Sequence, residues 1–215
     1  DESWSMMSDD LVIANEDIKA RAKLALKIPQ DGVRPFMDLA VHFASDSIVN
    51  KSRYLPAKVM PAAALAWLDK SIVAGQIPFG AVVFHGFLKD FPFNERQGKF
   101  EARFDLKGGE LDYAPGWPGI KEIDAGMVFN NKAMNLDAVS AKSLDADLID
   151  VEVVIEDLAE KPAMLVINGK AKGNTQVALD FLEKSPLKDR FGKYVADAKA
   201  TGKSDLDLIV VKPLS

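Results

Sequence analysis

Apolar and polar residues alternate along much of this chain with a period of two. Between residues 17 and 29, Ile18, Ala20, Ala22, Leu24, Leu26 and Ile28 interleave with Lys19, Arg21, Lys23 and Lys27. Side chains on a strand point to opposite faces in turn, so this segment has one apolar and one cationic face. Leu11 and Ile13 alternate in the other parity, and Asn15, Glu16 and Asp17 supply a turn between the two runs, which predicts a hairpin. Asp31–Gly32 then leads to a third strand with Met37, Leu39, Val41 and Phe43 on one face.

The period changes at Pro56. Pro61 suits a first helical turn, Leu65, Leu68 and Ile72 recur at three- and four-residue spacing beside Trp67, and Gly75 suits a left-handed helix end. This predicts a helix over 61–74. Strand patterns return over 79–91, 98–107, 109–115, 121–130, 132–139, 143–156 and 162–173, with turns expected at Asn94 to Gly98, Gly108–Gly109 and Asn130–Asn131. Such short links allow only antiparallel pairing. Near Leu148 and Ile149 the apolar parity flips, which predicts a bulge or bend.

Two helices follow. Val177, Ala178, Phe181 and Leu182 form a short apolar face, and Ser185–Pro186 opens a second helix whose expected buried side is Leu187, Phe191, Tyr194, Val195 and Ala198. A last strand carries Leu206, Leu208 and Val210 and ends at Pro213. The expected fold is mainly β: an extended, curled antiparallel sheet of repeating hairpins with three short α-helices. The expected organisation is a single piece of a larger protein. It comprises N-terminal strands over 1–50, a helix insertion over 51–76, central antiparallel strands over 77–174, C-terminal helices over 175–201 and the final strand over 203–213.

Composition narrows the functional classes. The 215 residues are 48% hydrophobic with a net charge of -5, which fits a folded chain and lacks the basic footprint of a nucleic-acid binder. The absence of cysteine excludes disulfides, thiolate metal sites and cysteine nucleophiles. No apolar run approaches the roughly 20 residues of a membrane-spanning helix. Asp1-Glu2-Ser3-Trp4 does not resemble a signal peptide, so a mature form or an excised segment is expected.

Candidate chemistry is sparse. His42 and His85 each sit inside a strand pattern with no second ligand at metal-binding spacing. Asp145, Asp147 and Asp150 lack the glycine and terminal glutamate of a calcium loop and read as solvent-facing partners of Leu144, Ala146 and Leu148. Gly202-Lys203-Ser204 resembles the end of a phosphate loop, but Asp197 stands where its first glycine belongs, and no G-x-S-x-G elbow occurs. The expectation is no enzyme, no cofactor and no metal.

An ordered set of short motifs carries a resemblance. It runs through Tyr54-Leu55-Pro56, Ala66-Trp67-Leu68-Asp69 and Gly75, then Gly86-Phe87-Leu88-Lys89-Asp90-Phe91-Pro92-Phe93 and Gly98-Lys99-Phe100. It continues through Leu111-Asp112-Tyr113-Ala114-Pro115-Gly116-Trp117-Pro118, Phe129-Asn130-Asn131 and Ser185-Pro186-Leu187. Over residues 53 to 190 the chain resembles the YhdP-type proteins of the AsmA-like (TamB-like) superfamily; the flanks match in style only. The resemblance implies a fragment of a large envelope protein, anchored in the inner membrane by an N-terminal helix and extending across the periplasm. It further implies an apolar groove that passes phospholipids toward the outer membrane, with phospholipid acyl chains and adjoining segments of the same long chain as partners.

Elementary geometry leads the same way. Ten or so strands about 4.8 Å apart span roughly 45–50 Å, and three short helices about 10 Å across cannot cover that width. Candidate groove residues are Leu24, Leu26, Leu39, Val41, Phe43, Phe100, Phe104, Met127, Phe129, Met134, Leu136, Val153 and Ile155. They either line an open groove or fill a closed core. Phe91 and Trp117, beside prolines, read as packing anchors at irregular corners. The alternative function is a structural or protein-interaction β module of the cell envelope.

Overall fold

The computed structural model describes residues 3–30, 32–55, 60–195 and 198–214. Asp31, Pro56, Asp197 and the side chain of Val195 lie outside that description. Ten strands form one sheet in strict chain order: β1 Ser3–Ala14, β2 Lys19–Pro29, β3 Phe36–Ser45, β4 Ile72–Phe87, β5 Lys99–Leu111, β6 Ile120–Asn130, β7 Ala133–Ser143, β8 Ala146–Ile155, β9 Ala163–Asn174 and β10 Lys203–Leu214. Every neighbouring pair is antiparallel, and the sheet does not close into a barrel. The expected all-antiparallel, mainly β architecture is what forms.

Because the order is consecutive, alternate connections fall at opposite ends of the strands. The three helices, α1 Ala62–Ser71, α2 Thr175–Glu183 and α3 Lys188–Val195, interrupt connections at one end only. There the Trp67 indole N–H donates to the Tyr113 carbonyl at 2.9 Å, and Trp117 packs on Phe181 with ring centres 5.9 Å apart. These contacts join α1, the β5–β6 connection and α2 into one rim. Asn174 caps α2 by accepting from the Gln176 N–H at 3.0 Å. At the end of α1, the Lys51 ammonium donates to the Asp69 and Ile72 carbonyls, where the helix carries partial negative charge.

Several boundaries differ from those the sequence predicts. The helix expected over 61–74 ends at Ser71, and Gly75, expected to close it, lies inside β4 with φ +145°. The separate strands expected over 98–107 and 109–115 are one strand, β5. Gly108–Gly109 is therefore a bulge rather than a turn: Leu106 pairs with Ala125 and Gly109 with Ile123, leaving more residues on β5 than on β6 between them. A glycine at φ +57° serves either structure, and only the long-range register decides between them.

That bulge is one of a series. Register shifts occur between Phe43 and Ser45, from Ile72 to Phe79, from Leu106 to Leu111, from Lys121 to Ala125, and between Ile149 and Glu152. The last coincides with the parity flip in the sequence. The pairings Phe79–Asp105, Leu106–Ala125 and Ala138–Val151 place these irregularities side by side across the sheet. A bulged strand bends, so the aligned bulges form a crease running across the strands. Glu122 and Asp150, both at φ +52°, stand on it. Against its inner side packs the buried apolar cluster of Ile123, Ala125, Ala138 and Ala141.

Candidate functional site

The register gathers the candidate groove residues on one face, in neighbouring rows across the strands. Leu24, Leu39, Phe84 and Phe100 form one row, and Leu26 lies beside it opposite Met37. The next row is Ala22, Val41, Val82, Ala102, Phe129, Met134 and Ile155. A third, nearest the crease, runs Ala20, Phe43, Gly80, Phe104, Met127, Leu136, Val153, Ile167 and Val210. Sequence reasoning passed over Phe84, Val82, Ile167 and Val210, which lie on β4, β9 and β10, where it named no groove residue; the cross-strand register places them in the rows.

Exposure separates an open face from a filled core. Of the thirteen candidates only Ile155, at 5%, is buried; the other twelve are partly exposed. The whole chain exposes 14201 Å². A compact monomer of 23.5 kDa would expose about 9,800 Å² by the usual scaling. The difference fits a broad sheet with much of one face uncovered. Within the described residues of β2 to β9, the inward-facing positions of these rows carry no charged side chain.

One end of this face is plugged. The β4–β5 connection folds back so that Phe93, 1% exposed, fills the space over Gly86 and Gly98, where any added Cβ would lie within 2.7 Å of its ring. Phe91 packs edge-on against Phe100 at 5.4 Å, and Phe84 sits 5.2 Å from Phe93. Phe91 is thus a packing anchor at an irregular corner, as Trp117 is at the other end. Gly80 is a second cut-out: the Phe43 ring lies where its Cβ would be.

The opposite face is polar and ion-paired. Lys107–Asp124 at 2.6 Å, Lys142–Glu122 at 2.8 Å and Lys170–Asp150 at 3.6 Å clamp the back of the crease. The Lys107 ammonium and the Gly108 N–H hold Asp124 below the usual carboxylate range, and Glu122 raises Lys142. Away from the crease, Lys132 and the Ala159 N–H lower Asp157 in the same way. His85 lies 3.4 Å from Asp38 on this face, and His42 is exposed. Asp145, Asp147 and Asp150 are all exposed, and among the described residues no three His, Cys, Asp or Glu side chains are placed to share a metal.

A family model described as YhdP protein matches residues 1–215. The chain belongs to the YhdP family. The match extends over the first fifty and last twenty residues, which carry no distinctive motif of their own. No curated protein and no solved structure matches the chain. In this YhdP-family member no helix among the described residues is long and apolar enough to cross a membrane.

Proposed function

We propose that this chain is a segment of a periplasm-spanning conduit that moves phospholipids between the inner and outer membranes, with acyl chains lying along the inner face of the sheet. The observation that carries the reading is the uncharged, partly exposed inner face from β2 to β9. Apolar area is stabilised by about 25 cal/mol per Å² when removed from water, so an open face of this breadth favours an apolar occupant. The polar headgroup would stay outside the rows, and no covalent chemistry is involved.

The free edges fit the same reading. β1 and β10 are each 12 residues long and pair on one side only, with Trp4 and Ile209 both 76% exposed. Long apolar edges are ordinarily covered, and adjoining segments of a longer sheet would cover them by continuing the ladder. The test is site-specific photocrosslinking in phospholipid-containing membranes. A photoreactive residue at Met127 or Leu136 should capture lipid, whereas one at Arg103 or Asp137 on the polar face should not. Equal capture on both faces, or none on the inner one, would sink the proposal.

A further inference from the structure

Helix α3 does not pack as its sequence pattern predicts. Leu187, Phe191 and Tyr194 fall on one stripe at about 3.6 residues per turn, expected to be its buried side. Yet Phe191 is 46% and Tyr194 73% exposed. Lys188 and Arg190 flank this stripe, and both are exposed. Among the described residues neither they nor Lys193 has a carboxylate partner, and the Lys193 ammonium instead lies 4.8 Å from the Tyr194 ring centre. Between residues 188 and 193 stand Lys188, Arg190 and Lys193 against Asp189 alone, in a chain whose net charge is -5.

The base of the helix is fixed while its face is left out. Ser185 is buried, its hydroxyl accepts from the Leu187 N–H at 3.4 Å, and Pro186 lies against Gly116 of the β5–β6 connection. The helix therefore extends from the rim that also holds half-exposed Trp67. A short helix with aromatic residues on one side and lysine or arginine on both flanks suits an anionic lipid–water interface. There the rings enter the headgroup boundary while the long cations keep their charges among phosphates. A protein partner is disfavoured by size: two rings on an 8-residue helix offer far less than the roughly 800 Å² per side of a stable protein interface.

We propose that α3 docks this end of the sheet onto anionic phospholipid headgroups at a membrane surface. The inference does not depend on what occupies the inner face. The experiment is flotation of the 215-residue chain with vesicles of phosphatidylcholine, with and without phosphatidylglycerol, at rising salt. Wild type should bind only the phosphatidylglycerol vesicles and be released by salt. Each basic residue near such a surface contributes about fivefold, so the K188E/R190E pair should weaken binding by about 30-fold or more. F191S/Y194S should weaken it as well, with circular dichroism showing both variants folded. K23E/K27E on the polar face of β2 and L136D on the inner face should bind as wild type. Binding that ignores phosphatidylglycerol, that survives in both α3 variants, or that is lost equally in K23E/K27E or L136D would overturn the assignment, as would no binding at all.

Discussion

Substituting Leu136 by Asp tests whether the inner face is open. Leu136 sits mid-sheet on β7 between Met127 and Val153 and is partly exposed beside the buried crease cluster. Full burial of a leucine side chain is worth about 1.5–3 kcal/mol, so the change removes roughly two-thirds of that or more. Aspartate's poor fit to a strand adds up to about 1 kcal/mol. The carboxylate itself stays hydrated if the face is open, giving a total near 2 kcal/mol, or a Tm lower by about 4–8 °C for a chain of this size. Ile123→Asp is the counterpart: Ile123 is buried in the crease cluster, where an unpaired carboxylate would cost several kcal/mol on top of the lost packing. That total approaches the whole stability of an ordinary domain, so this variant should fail to fold. The assay is calorimetry of delipidated proteins, with lipid extraction and mass spectrometry of the same proteins as purified. Added phospholipid at 100 times its dissociation constant should raise wild-type stability by about 2.7 kcal/mol and leave Leu136→Asp unchanged. If Leu136→Asp unfolds the chain as thoroughly as Ile123→Asp, the face is a sealed core. If it folds and keeps its full lipid content, the acyl chains lie elsewhere.

Other outcomes follow from single contacts. Phe93→Ala should lower stability by about 3–5 kcal/mol in urea unfolding, since the ring is wholly buried in a site cut for it by two glycines; a loss below 1 kcal/mol would mean that the plug packs loosely. Gly80→Val should cost about 1–3 kcal/mol by driving the Phe43 ring off β4. Pairing it with Phe43→Ala should recover much of that loss in a double-mutant cycle. The Asp124 pKa is depressed in the fold, so its contribution is present above the unfolded carboxylate value of about 4 and is lost as pH falls through the lower folded value. Asp124→Asn should accordingly be less stable than wild type at neutral pH, and the gap should shrink in acid; a gap that stays constant would mean that the Lys107 pairing is not its source.

What could be read in the sequence was whatever the local pattern determines. The alternation from Lys19 to Pro29 specifies β2 and its face because one-residue slippage would turn every leucine outward. The parity flip at Ile149 showed one bulge, yet the other members of the crease were hidden. Their signal lies in which residue faces which across strands, as Gly108–Gly109 shows. The helix-to-strand switch at Ile72 was invisible for a related reason: no turn residue separates α1 from β4, and pairing with Leu111 pulls Ile72 out of the helical stripe. Phe191 and Tyr194 were expected to be buried because apolar periodicity identifies a face without naming what meets it. The candidate groove was readable as a face, but whether anything covered it was a question of three-dimensional area.

The unbroken chain order of the strands bears on how such a sheet can lengthen. Each strand finds its partners in its immediate chain neighbours, so contacts are local, and folding can begin at any hairpin and spread by docking the next one. Growth or loss must come two strands at a time. Excising a whole hairpin, such as β7 with β8, leaves the strands that follow pointing the same way with their oily side still inward. Excising a single strand reverses the direction of everything downstream and carries the helical rim to the wrong end.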